Sequence, residues 1–576
     1  MADTSNPSDL TEAGTELARL MISRREMLRL ATFTALSGTF GSLLAGCAPP
    51  AAPSTAPTSA PAATSAAMTT TSAPATAMAA SIVVGLVAEP TSMDPAHPTD
   101  NNTISRVHPN VFETLVKFKQ GTYEVEPLVA ESYTVSDDNL TYTFKIRQGI
   151  TFHDGTPLDA DAVVYSFERQ LDPNHPEADT GPFPFASWYY GSVDKLEKVD
   201  ERTVAFTLKE AFTPFITNLA ITIGGIVSPT AVKQERAGFS EAGIGSGPFK
   251  LKSWDKSVKM TLERFDGYWG NKARLGELIY RPIVDEQTRI TELLSGGVQL
   301  VTDLPPDNIE QIKQNPDLVY AELPGPHAWF LNFNMKSAPF NDIKVRKAVA
   351  YAINRQAIIT DLLKNTGTPL HSCIPEAFAP YYTPDVTMYE YDPEKARALL
   401  SEAGIAPGTR IKFLVTESGS GMQSPKVMGE AIQADLAKVG IEAEITVLEW
   451  GAYLNVYNAG LDAGGYHLAQ MSWFYGADPG VVPQATLHSK NWPTNKGFNA
   501  SYYANPRVDE LLDTGLAERD PVKRTAIYHE LQRIVADELP NLYFDSQIQT
   551  AAMAKTVKGF VLHPSFEQRY VDVTIG

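Results

Sequence analysis

The chain has 576 residues, 43 % hydrophobic and 20 % charged, which places it among globular proteins and allows two or three domains at roughly 100–200 residues each. A formal net charge of −19 argues against DNA or another polyanion as partner, because such binding relies on Lys and Arg to neutralise phosphates; no nucleic-acid partner is expected. Two cysteines make no disulfide framework, and ten scattered histidines give no metal-ligand spacing, so no metal site and no cofactor are expected.

The first element in chain order reads as a leader. Ser23-Arg24-Arg25-Glu26-Met27-Leu28 precedes an uncharged run from Leu30 that ends Leu44-Ala45-Gly46-Cys47, and a tract of Ala, Pro, Ser and Thr follows with no charge until Glu89. A basic pair, an apolar stretch, small residues before one cysteine and a solvated spacer form a signal for export followed by lipid attachment. The apolar stretch is interrupted by Thr, Ser and Gly and is short for a helix that must cross about 30 Å of hydrocarbon, so cleavage is expected rather than a membrane span. Ser-Arg-Arg-x-x-Leu resembles the twin-arginine export signal, with Met27 where Phe is usual, and Leu44-Ala45-Gly46-Cys47 resembles the bacterial lipobox. Residues 1–46 are therefore expected to be a signal peptide and Cys47 the lipidated residue. Residues 47–80 cannot bury enough apolar surface to offset their ordering entropy and read as a flexible linker. With Cys47 lipidated, Cys373 is left as a small buried side chain.

The body opens on the β-rich run Ile82–Val87. Tyr133-Thr134-Val135 and Leu140–Ile146 flank the turn residues Ser136-Asp137-Asp138-Asn139, and Lys198–Leu208 repeats the hairpin pattern. Farther along, Val345, Ala348, Val349, Ala352 and Ile353 recur at helical spacing after Asn341-Asp342. Asp392-Pro393-Glu394 caps a second helix that runs to Gly404. Ile411–Val415 as strand, Pro425–Val439 as helix closed by Gly440, and Ile441–Leu448 as strand make a βαβ unit, whose strands should be parallel neighbours. Sheets of this kind bind ligands beyond the carboxyl ends of their strands, where the loop Thr416–Gly421 would lie.

Catalytic signatures are missing from the sequence: it contains no G-x-S-x-G, H-E-x-x-H, P-loop or C-x-x-C, and no catalytic residue is assigned. Gly243-Ile244-Gly245-Ser246-Gly247-Pro248 leads into the strand-like Phe249-Lys250-Leu251, whereas a phosphate cradle needs a helix N-terminus. His153-Asp154-Gly155-Thr156-Pro157 reads as a turn on which adjacent side chains diverge. Two aromatic stretches, His327–Asn334 and Met471–Pro479, fit the apolar, sparsely polar lining of ligand clefts and fit half-buried core strands nearly as well.

Six ordered segments carry a resemblance: Glu89–Pro95, Val111–Val116, Ile146–Pro157 with Asp161-Ala162-Val163, Gly245–Phe249, Asp266–Gly270 and Val345–Arg355. Behind a lipobox, they make the body from about Ile82 onward similar to the family 5 extracellular solute-binding proteins, the dipeptide, oligopeptide and nickel class of bacterial ABC importers. The resemblance implies an α/β, two-lobed periplasmic-binding-protein-like fold (class II type, cluster C) with an extra subdomain in the first lobe. Carried onto this chain, residues 82–125, 243–326 and 541–576 would form domain I, 126–242 domain II and 327–540 domain III. It further implies a non-enzymatic, monomeric, lipid-anchored receptor outside the cytoplasmic membrane. Its partners would be a peptide or other small-molecule ligand, ABC permease subunits, and membrane lipid through Cys47.

Ligand contacts are expected from Trp473, Tyr475 and Asp478, with Trp329 and Asn332 near the cleft. One departure stands out. Peptide-binding members place an acidic residue in the loop after a Trp to meet the ligand's α-ammonium, and that position falls on Tyr475 here. Asp478 is expected to cap its own turn first. An oligosaccharide, a neutral metabolite or a modified peptide thus stays open beside a peptide ligand. So do an extracytoplasmic hydrolase of peptides or glycosides and a sensory or chaperone binding module.

Overall fold

The computed structural model describes residues 80–576 apart from Thr99, Ser418, Ser420 and Gly421; the expected signal peptide, Cys47 and the linker lie outside the described residues, as does much of the loop after Thr416. Among the described residues no helix is long and apolar enough to cross a membrane.

The opening β-run forms β1 (Ser81–Leu86), and β2 (Val116–Phe118) pairs with β3 (Val125–Pro127). The hairpins expected from alternation follow as β4 (Ala130–Val135), β5 (Thr141–Ile146), β6 (Val193–Asp200) and β7 (Thr203–Leu208), an antiparallel sheet in the order β4-β5-β7-β6. Tyr142, Phe144 and Ile146 of β5 are all buried at every second residue, which gives this sheet its core face. The first turn is closed by Asn139, whose left-handed backbone (φ 60°) Asn tolerates better than most residues. Against this sheet lies the helix Ala160–Leu171, capped by the Asp159 carboxylate on the Ala162 N–H.

The larger sheet adds β8 (Phe249–Asp255), β9 (Lys259–Arg264), β10 (Glu277–Pro282), β11 (Leu300–Thr302), β12 (Leu318–Phe333), β13 (Gly367–Pro369), β14 (Thr409–Thr416), β15 (Ile441–Leu448), β16 (Leu468–Phe474) and β17 (Asn541–Ala554). Its order is β15-β14-β16-β12-β17-β11-β1-β10-β9-β8, with β13 on β17. The long strands β12 and β17 run antiparallel and join two ends with separate cores. One core is built on residues such as Ile82, Phe249, Leu278 and Tyr570, the other on Phe330, Val349, Phe413 and Leu512. A third core, around Phe144, Phe167 and Phe206, belongs to the small sheet. The pairing of β12 with β17 shifts register between Pro324 and Ala328 and again between Trp329 and Phe330.

The βαβ unit forms as read. β14 and β15 are parallel from Thr409 opposite Ile441 to Thr416 opposite Leu448, joined by the helix Pro425–Lys438. The helices Ile343–Ala352 and Pro393–Glu402 are likewise present, the second capped by Asp392 on the Lys395 N–H. The glycine run has a packing purpose: a Cβ on Gly245 would lie 2.0 Å from the Val111 carbonyl oxygen, so only glycine allows that approach. Cys373 is a free, fully buried thiol whose pKa burial pushes up to about 12, which makes it inert at neutral pH.

Candidate functional site

A cavity of about 460 Å³ lies where β15 and β16 end and the small-sheet region faces them. This is the carboxyl edge that parallel neighbours leave open, because each strand there hands over to a loop or helix instead of a tight hairpin. β15 ends at Leu448, and Glu449 caps the next helix (Trp450–Ala459), with its carboxylate accepting from the N–H groups of Gly451 and Ala452. That cap presents Trp450 and Leu454 to the cavity. From the end of β16 come Ser472, Trp473 and Phe474, followed by Gly476 in a left-handed turn (φ 64°).

The opposite wall is Pro184–Tyr189, a loop that runs into the short helix Ala186–Tyr190. Trp188 faces Trp473 with ring centroids 6.1 Å apart and 28° between planes, and Phe498 meets both rings edge-on at 6.2 and 5.1 Å. A second seam joins the same two regions: the Thr213 N–H donates to the Leu516 carbonyl (2.7 Å), and Arg519 Nη1 donates to the Ser136 carbonyl (2.9 Å). The floor includes the chain's last stretch. There Glu567 is 9 % exposed, and its Oε1 accepts from Arg569 Nε (2.8 Å).

Of the residues expected from sequence, Trp473 lines the cavity, and its indole N–H has no partner among the described residues. Tyr475, Asp478, Trp329 and Asn332 are not among the lining residues. Tyr475 is buried, its hydroxyl donating to the Cys373 carbonyl. Asp478 caps its turn as read, accepting from the Gly480 N–H (2.8 Å), while its other oxygen accepts from Arg524 Nη2 (2.7 Å) in a buried pair. Trp329 is opposite Ser472 in the β12–β16 pairing, one residue out of phase with Trp473, so it belongs to the other sheet face and packs edge-on against Phe544. Asn332 shares the Trp473 face but lies beneath Tyr457, whose hydroxyl donates to its Oδ1 (2.8 Å), and its Nδ2 donates to Asn541 Oδ1 (2.8 Å).

Sequence reasoning missed Trp188 and Tyr189, although Pro182–Tyr190 is an aromatic run on a proline-broken stretch, the signal that had singled out residues 471–479. Trp450 was within reach of the carboxyl-edge rule applied to β15. Nothing local marks Phe498 or Glu567.

The fold is that of the two-lobed, periplasmic-binding-protein-like α/β class, and the comparisons narrow it. The model of the bacterial extracellular solute-binding proteins, family 5, matches residues 124–494, and the chain belongs to that family. It is 32 % identical over 511 residues to a dipeptide-binding protein of Escherichia coli (strain K12), covering 84 % of this chain and 93 % of the relative. It is 30 % identical over 500 residues to the glutathione-binding protein GsiB of Shigella flexneri serotype 5b (strain 8401), covering 86 % and 94 %. The structure of HbpA2 from Haemophilus parasuis superposes with a TM-score of 0.79 at 29 % identity, over 86 % of this chain and 100 % of that one.

Proposed function

We propose that this chain is the lipid-anchored receptor of an ABC importer, which takes up a peptide or another small organic solute in the aromatic cavity and hands it to a membrane permease. The observation that carries the reading is that the two cavity walls come from different regions, Pro184–Tyr189 on one side and the β15–β16 edge on the other, and touch through Trp188 and Trp473. A solute held by both walls makes contacts that a parted pair cannot offer, so it shifts an open–shut equilibrium toward the shut form. The volume suits a solute of two or three residues, within the roughly 300–1,000 Å³ typical of ligand clefts. Tethering would run through Cys47 after removal of residues 1–46, leaving the body as a monomer outside the cytoplasmic membrane. The domain division at residues 126–242 and 327–540 belongs to the same proposal.

The relatives' ligands, a dipeptide and glutathione, support a peptide-like solute here. The test is mass spectrometry of small molecules released on denaturing protein purified from its own cells, followed by calorimetry with the molecule identified. Saturable one-to-one binding without turnover is expected; steady product release would sink the reading in favour of a hydrolase.

A further inference from the structure

We infer that the solute carries a cationic group and an apolar, ring-bearing body but no carboxylate, and that Glu567 receives the cation. The inference rests on the reading of the cavity as the solute site. Among the described residues, Glu567 is the single charged side chain in the lining; the rest is aromatic, aliphatic or neutral polar. Arg569 contacts only its Oε1, through Nε at 2.8 Å and Nη2 at 2.7 Å, and Oε2 accepts no hydrogen bond within the described protein. The Glu567 side chain is 10 % exposed and Oε2 opens onto the cavity, so this oxygen is free to accept from a donor on the solute.

The surroundings of Glu567 hold it firmly. Phe566, just before it, has a left-handed backbone (φ 65°) that a bulky side chain avoids unless its neighbours dictate it. Those neighbours are His327 and Phe474, with ring centroids 5.3 and 5.7 Å from Phe566. The Gln568 N–H donates to the Ser105 carbonyl (2.8 Å), tying the other side. Glu113, also beside Arg569, accepts from the Tyr268 hydroxyl (2.6 Å), and burial raises its carboxyl above the usual range.

The remaining polar needs of the cavity are those of a neutral acceptor. The Trp473 indole N–H is buried and has no partner among the described residues, so a carbonyl or ether oxygen on the solute would satisfy it. A carboxylate would instead enter a lining without Lys or Arg, since the guanidinium behind that lining, Arg569, is already committed to Glu567 Oε1. The aromatic surfaces of Trp188, Trp473 and Phe498 add attraction for a cation and for ring stacking.

Three blocked dipeptides separate the possibilities by calorimetry: phenylalanyl-phenylalaninamide with an ammonium and no carboxylate, its N-acetylated amide with neither, and the N-acetylated free acid with a carboxylate alone. The expected order is amide with ammonium tightest, by about tenfold or more over the neutral compound as a charge-assisted hydrogen bond gives, and the acid weakest. Glu567→Gln should abolish the advantage of the ammonium and leave the neutral compound's affinity in place, with a thermal melt confirming that the variant is folded. Should that variant not fold, the order measured on the unaltered chain decides by itself. An acid that binds as tightly as the ammonium compound overturns the inference, and so does failure of all three to bind. Neither outcome touches the receptor reading, which stands or falls on whether a small molecule co-purifies.

Discussion

The two walls of the cavity are built on different principles. The β15–β16 edge is continuous with a sheet whose strands are fixed by long ladders, and its loop is braced from behind by the buried Asp478–Arg524 pair. The Pro184–Tyr189 wall is a short helical turn between loops, on which Trp188 keeps 36 % of its surface exposed and reaches across to Trp473. Under the proposed receptor reading, the contrast implies a division of labour: the sheet wall pre-forms the site, and the turn completes it once the two regions meet. Such a clamp needs one rigid half, because the closing half can be positioned only against something that does not yield.

Breaking the brace should have the largest effect. Arg524→Met leaves the Asp478 carboxylate buried without its cation and is expected to cost about 3–5 kcal/mol in urea unfolding. If melting is unchanged, the sheet wall does not depend on that pair. Trp473→Ala removes the ring shared by both walls and should weaken solute binding by about 2–3 kcal/mol, measured by calorimetry on protein that a thermal melt shows to be folded. Unchanged affinity would take this residue off the site.

Asp545 sharpens the picture of what lies behind the sheet wall. It is paired with Trp329 on β17, and burial alone pushes its carboxyl up to about 7 from an ordinary 3.8. Between those values the folded state holds a proton that the unfolded chain has released, so stability falls as pH rises from 3.8 toward 7. Asp545→Asn should therefore raise stability at pH 8 by on the order of 1–3 kcal/mol and change little near pH 4. An equal shift at both pH values would mean that the carboxyl does not titrate in that window. The smallest effect is expected at the exposed turn: Trp188→Ala should weaken binding by about 1 kcal/mol, the worth of an aromatic pair, and the change in small-angle solution scattering on adding solute should shrink with it. A loss as large as that at Trp473 would erase the distinction between the walls.

Much of this architecture was legible in the residues. Alternation gave β4 to β7, capping chemistry placed the helix at Asp392, the closing Gly440 ended the helix from Pro425, and the strand–helix–strand spacing made β14 and β15 parallel neighbours. Those readings succeed because hydrogen bonding and side-chain period act over a few residues. Within the site the same reasoning found Trp473 but joined it to Trp329, Tyr475, Asp478 and Asn332, which are close in sequence or strand yet face the opposite side of the sheet or have spent their polar groups on Arg524, Cys373 and Asn541. Which residues meet across the cavity was decided by tertiary packing alone. Trp188, Trp473, Phe498 and Glu567 are brought together from four distant segments by β12 and β17 joining the two ends of the sheet, and no local pattern encodes a contact whose partners are set by packing between segments so far apart in the chain.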